Sequence, residues 1–259
     1  MGNNEIYFKE NEVIAGQNKF KYYLSPALIK YNFEHGFFTK TSAGVDLSLL
    51  TNKVNQHQNC FLKQIHSNKI VFGSKAQGGL RVEADGIVCD QSNQNLWIYS
   101  ADCMPILFAD RTNRLVAAIH CGRKGLENKI IKKLLKIFDN LGTRKEDILV
   151  AIGPSISKKN YLIDKKTFQE FYKKIHYEEL SFSINLEVSG YMKNLSKVEN
   201  QTAIPLDLKH FAHVQLLHEK IPNENIEISK LCTYESHDDF YSWRKSKTSL
   251  RQWSFISNK

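Results

Sequence analysis

Residues 101–122, ADCMPILFADRTNRLVAAIHCG, are two apolar runs separated by Asp110-Arg111-Thr112-Asn113. Asp and Asn side chains hydrogen-bond the backbone near them and favour tight reversals, so the stretch predicts an antiparallel hairpin. A symmetric turn sets Asp110 opposite Asn113 and Ala109 opposite Arg114, which carries Cys103 opposite His120. Opposed residues of an antiparallel pair point to one face, with Cβ atoms about 4.5–5.5 Å apart. A thiolate and an imidazole so placed converge on one ion at about 2.0–2.3 Å each. A slip of one residue would send them to opposite faces. The same pair equally makes a nucleophile and its base. Cys and His are also common as plain packing and structural groups. The hairpin alone leaves these readings open.

Further short apolar runs read as strands at 69–72, 86–88, 96–100, 148–152 and 226–231, beside 105–109 and 115–119 of the hairpin. Over 125–141, Leu126, Ile130, Ile131, Leu134, Leu135, Phe138 and Leu141 recur at three- and four-residue steps, one apolar helix face, and Gly142 follows as a stop. Further helices are predicted at 167–175 and 207–220, the latter with Asp207 as N-cap. Strands come in hairpin-like pairs as well as before helices. The expected class is therefore α+β, with central mixed β-sheets packed face to face and flanked by helices. No repeat or proline-rich linker divides the 259 residues, so one domain over 1–259 is expected.

No apolar run approaches the roughly 20 residues of a spanning helix, and the N-terminus MGNNEIYFKENEV is polar, unlike a secretory signal. Ile6 stands where a myristoylation signal has Ser or Thr. A cytoplasmic protein that avoids membranes is expected. Five cysteines, Cys60, Cys89, Cys103, Cys121 and Cys232, are odd in number and widely spaced, which points to reduced thiols. The net charge of +9 raises the question of nucleic acid. The lysines are scattered, however, and no basic tract with interleaved aromatics is present, so nucleic acid is not expected as a partner. The surplus charge suits anionic or phosphate-bearing substrates.

Several other signals read as ordinary structure. His210, His213 and His218 fall at helical spacing without a Cys or carboxylate in register, and read as a histidine-bearing helix face. Gly78-Gly79 and Gly153-Pro154-Ser155 read as turns, since neither has phosphate-loop spacing. Glu235, Asp238 and Asp239 around His237 read as a solvated loop.

EHGFFTK (34–40), KQIHS (63–67), EADGIV (83–88), SADCMPILFAD (100–110), AAIHCG (117–122), AIGPSI (151–156) and CTYES…FYSWRK…RQWSFI (232–256) stand in an order and spacing that resemble the YfiH-like, laccase-domain family. Its members were long named polyphenol oxidases and more recently zinc-dependent purine nucleoside phosphorylases with adenosine deaminase activity. The resemblance implies one zinc per chain, or copper following the older name, held by His66, Cys103 and His120. Two His and one Cys leave a fourth tetrahedral position for water, the pattern of a catalytic rather than a structural site. The implied substrates are adenosine, inosine, guanosine and methylthioadenosine with inorganic phosphate, taken by a monomer or weak homodimer. Asp85 becomes a candidate for proton transfer or for orienting a ligand His. His35, Lys40, Lys124, Arg244 and Arg251 become candidates for substrate or phosphate binding. Lys40 stands where the family has Arg, and Arg123 and Lys124 stand where it has Trp and Arg. The loop after HGF is shortened to TSAGVDLSLL. Two alternatives remain: a metal-free cysteine hydrolase using Cys103 and His120, and a copper-dependent polyphenol oxidase.

Overall fold

A computed structural model describes residues 5–15, 17–44, 47, 50, 58–77, 82–175 and 203–258. Part of the shortened loop and the pair Gly78-Gly79 lie outside the described residues. The hairpin forms from Met104–Asp110 and Val116–Cys121 at the centre of a mixed seven-stranded sheet. On one side stand Ile148–Ile152, Ile226–Ser229 and Glu5–Ile6; on the other, Gly86–Val88 and Ile70–Phe72. Every position of these two strands is buried because both faces are covered. Met104, Ile106, Phe108, Ala117 and Ile119 pack with Leu134, Leu135, Phe138 and Phe211 of the helices Ile130–Asn140 and Leu208–His218. Leu107, Ala109, Val116 and Ala118 alternate with them and face the second sheet.

That second sheet has six strands, in the order Lys9–Ala15, Asn18–Leu24, His35–Phe38, Gln252–Ser257, Gln94–Ser100 and Gln58–Cys60. Its Phe37, Leu96, Ile98 and Ile256 fill the space between the sheets. The architecture is α+β with face-to-face mixed sheets and flanking helices, as the patterning predicts. Among the described residues no helix is long and apolar enough to cross a membrane.

Two local expectations change. The hairpin ladder pairs Pro105 with His120 and Ala109 with Val116, so continuing it sets Cys103 level with Gly122, two residues from the expected partner. The reversal is longer because Asp110 pairs with Leu115 rather than Asn113, its N–H donating to Leu115 O at 2.7 Å. Its carboxylate folds the loop from inside, accepting from the N–H groups of Thr112 and Asn113, and Arg114 closes it at φ 62°. A two-residue shift restores the original face, so Cys103 and His120 still share one. The helix expected over 125–141 is two helices, Arg123–Glu127 and Ile130–Asn140, broken where Lys129 turns left-handed at φ 57°. Gly142, at φ 82°, ends the second.

Candidate metal centre

The site is built outward from Asp85, a fully buried residue just ahead of the strand Gly86–Val88. One carboxylate oxygen accepts the N–H of His66 at 2.9 Å, and the other accepts the N–H groups of Ile65 and Ser67 and the Ser67 hydroxyl. These bonds wrap the loop after Leu62–Lys63 around one carboxylate and hold His66 left-handed at φ 58°. Asp85 also accepts the His120 N–H at its carbonyl and bonds His120 Nδ1 at 2.9 Å through Oδ1. Burial works to raise the Asp85 pKa, but the bonds from His120 and Ser67 prevail and hold it below the usual carboxylate value. An ionised Asp85 makes His120 Nδ1 the protonated nitrogen and leaves Nε2 as the lone-pair donor. Of the two roles considered for Asp85, this placement is that of an orienting group.

Cys103 ends the turn between the strands Gln94–Ser100 and Met104–Asp110. Asp102, at φ 95°, directs that turn. It accepts the Thr233 hydroxyl at 2.8 Å, the Arg244 N–H at 2.6 Å and, through its carbonyl, the Ile156 N–H at 3.0 Å. Three distant segments are thereby pinned to the residue before the thiol. Opposite lies Gly122, where a Cβ would stand 2.5 Å from Cys103 Sγ. Only glycine leaves the sulfur in place.

The donor atoms of His66, Cys103 and His120 lie within 4.8 Å of one another, and Cys103 Sγ is 4.0 Å from His66 Nε2. Zinc bond lengths at a tetrahedral angle require about 3.3–3.6 Å between donors, so modest contraction would bring these onto one ion. Burial opposes ionisation of both Cys103 and His120. The imidazoles nonetheless draw the thiol well below its usual value, while Cys103 and Asp85 raise that of His120. A thiolate and two imidazoles are a set that suits zinc, and also copper. Among the described residues no other His, Cys, Asp and Glu cluster converges in this way. All three line a cleft of about 620 Å³, His120 as the most buried of them.

Lys124, Arg244 and Arg251 line that cleft, together with Arg123, Tyr161 and Trp243. Arg244 lies over the Tyr161 ring, 4.8 Å from its centroid, and Arg123 pairs with Glu127. His35 and Lys40 are not brought to the cleft. His35 is buried between the Ser25 N–H, bonded to Nε2, and the Phe33 carbonyl, bonded to Nδ1, both at 2.8 Å. The Lys40 ammonium donates to His237 O at 3.0 Å. Their motif, 34–40, runs through an interior strand of the second sheet, so its residues serve that sheet. Asp239 is half-buried, accepting the Tyr23 hydroxyl at 2.6 Å and pairing with Lys21, while Glu235 and Asp238 are exposed as the solvated-loop reading has them. Sequence reasoning missed Ser100, Tyr161 and Trp243. Trp243 adjoins Arg244, but no periodicity announces an aromatic that stays exposed.

Residues 45–259 match the family model described as multi-copper polyphenol oxidoreductase laccase. A curated relative, purine nucleoside phosphorylase slr1573 of Synechocystis sp., is 29% identical over 249 residues, covering 90% of this chain and 92% of that protein. Purine nucleoside phosphorylase YlmD of Bacillus subtilis is 30% identical over 212 residues, covering 77% and 70%. Among solved structures, YlmD from Geobacillus stearothermophilus superposes with a TM-score of 0.76 at 21% identity, covering 97% of this chain and 100% of that one. Hypothetical protein YfiH from Bacillus licheniformis gives 0.74 at 22%, covering 93% and 96%.

Proposed function

Because the chain belongs to the family described as multi-copper polyphenol oxidoreductase laccase, and curated relatives carry the name purine nucleoside phosphorylase, we propose that it cleaves purine nucleosides with phosphate at a zinc centre held by His66, Cys103 and His120. The observation that carries this reading is the convergence of those three donors at a cleft with Lys124, Arg244 and Arg251 in its wall. In the reaction a phosphate oxygen bonds to C1′ of the ribose while the C1′–N9 bond breaks, and the purine leaves with the electron pair and takes up a proton. Cationic side chains bind the phosphate and offset charge during transfer. Asp85 is a positioning residue, holding the His66 loop and the His120 tautomer. Held by His66, Cys103 and His120, zinc would supply Lewis-acid stabilisation and, for a second activity on adenosine, would lower the pKa of water for hydrolytic deamination.

The test is a single assay on metal-loaded protein with inosine or adenosine, with and without phosphate. Phosphate-dependent release of hypoxanthine or adenine is expected, along with one zinc per chain. Cys103→Ala should lose both the metal and at least about a hundredfold in rate. Production of neither free base nor inosine would falsify the proposal.

The thiol held low beside an Asp85-oriented His120 also supports a metal-free cysteine hydrolase. That reading gives no work to His66, whose Nε2 points at the same sulfur. Rapid alkylation of Cys103 in a fully active, metal-free protein would establish it. A polyphenol oxidase needs several coppers, and one cluster of three donors among the described residues supports it least.

A further inference from the structure

Ser100 closes the strand Gln94–Ser100 and lines the cleft. It is 3% exposed, and its hydroxyl has no hydrogen-bond partner among the described residues. An unpaired hydroxyl under burial works against folding; the oxygen itself exposes less than 1 Å², so it meets a ligand by turning about χ1 towards the cleft that the residue lines.

Trp243 lies in the same wall and is 46% exposed, while Trp97 is fully buried and Trp253 partly so. Its position is firmly set. It opens the short helix Trp243–Ser246, capped by Ser242 Oγ on the Lys245 N–H at 3.2 Å. The next amide, that of Arg244, donates to Asp102 beside Cys103, which ties the indole to the metal-site turn. Lys247 Nζ sits over the ring at 3.7 Å from its centroid and further fixes its orientation. Tyr161, the neighbouring aromatic, already has the Arg244 guanidinium over its ring. Of the cleft aromatics Tyr99, Tyr161 and Trp243, only Trp243 is exposed rather than half-buried, so it offers the most open surface for a flat heteroaromatic ring.

We propose that Trp243 is the stacking wall for the base of a bound purine nucleoside and that the Ser100 hydroxyl gives the same ligand a hydrogen bond. The inference rests on the nucleoside reading of the cleft and places the ligand within it. Stacking needs only a π face, so Trp243 supplies affinity shared by adenosine, inosine and guanosine rather than choice among them.

The experiment uses full-length, zinc-loaded protein with saturating phosphate. Trp243→Ala should raise KM about tenfold or more for inosine and adenosine alike, with kcat within about threefold, bound zinc unchanged, and Trp243→Phe recovering most of the loss. Ser100→Ala should raise KM by up to about tenfold with Tm unchanged or higher, because the free protein loses no bond. A merely structural serine would instead lower Tm at constant KM. Quenching of tryptophan fluorescence by inosine, lost in Trp243→Ala, gives an equilibrium readout. Turnover in the wild type with a KM within about twofold in Trp243→Ala, or the structural pattern for Ser100→Ala, overturns the wall and spares the phosphorylase reading. Trp243-dependent quenching without turnover overturns the phosphorylase reading and upholds the wall. The absence of both overturns the two together.

Discussion

Five hydrogen bonds reach the Asp85 carboxylate, three from successive backbone amides, one from Ser67 and one from His120. Asparagine has one oxygen and would offer an N–H₂ either to the loop amides or to His120 Nδ1. The second choice pushes the imidazole proton onto Nε2, the atom the metal needs. Asp85→Asn is therefore expected to lower zinc affinity by about 10- to 100-fold, measured by competition with a chelator. Affinity equal to wild type would remove Asp85 from its positioning role. Gly122 acts on the third ligand. A methyl there would stand 2.5 Å from Cys103 Sγ, and the sulfur, as the end of a side chain, yields before the backbone does. Gly122→Ala should turn the thiol away, weakening zinc binding by at least about tenfold while leaving far-UV circular dichroism unchanged. Full zinc affinity in the Gly122→Ala variant would show that the close approach is incidental.

At the scale of elements, the hairpin shows what periodicity reveals and what it hides. Which face Cys103 and His120 share is legible because a strand repeats every two residues, and a shift of two in register leaves faces unchanged. The register itself is not legible, since it depends on Asp110, whose carboxylate accepts from Thr112 N, Asn113 N, Asn113 Nδ2 and Thr143 Oγ1. The Thr143 bond comes from a residue 33 positions away, outside any local reading. Asp110→Ala strands two loop amides and a buried hydroxyl, and is expected to lower the unfolding free energy by about 2–4 kcal/mol in urea titrations. A loss under about 0.5 kcal/mol would mean that the loop holds itself. The break at Lys129 is similarly silent, because Leu126 and Ile130 continue one apolar face across it. The first strand of the second sheet, Lys9–Ala15, is exposed at most positions and has too few apolar residues to announce itself.

Across the whole molecule, the site forms where the two sheets, the helix Arg123–Glu127 and the segment around Trp243 meet, so its ligands come from sequence positions as distant as 66 and 120. Only a resemblance supplied His66, and the same resemblance set His35 beside substrate. The structure gives His35 a different task in the second sheet, with a pH dependence of its own. Burial lowers its pKa to about 4, outweighing the bond to Phe33 O. The unfolded chain keeps the ordinary value near 6.5, so between about pH 6.5 and 4 it binds a proton that the folded chain refuses. Stability therefore rises with pH through that window and is lost on acidification, on the order of 3 kcal/mol in all. Burial is the main cause, and the geometry adds to it, since Nε2 accepts the Ser25 N–H and a proton on Nε2 would face that N–H. His35→Gln keeps an acceptor and a donor but does not titrate. Its unfolding free energy, measured in urea from about pH 7.5 to 4, should start below wild type and converge on it as pH falls, since other titrating groups cancel in the difference. Two curves that stay parallel would show that His35 is protonated in the fold without penalty, and would return it to the set of groups free to meet a ligand.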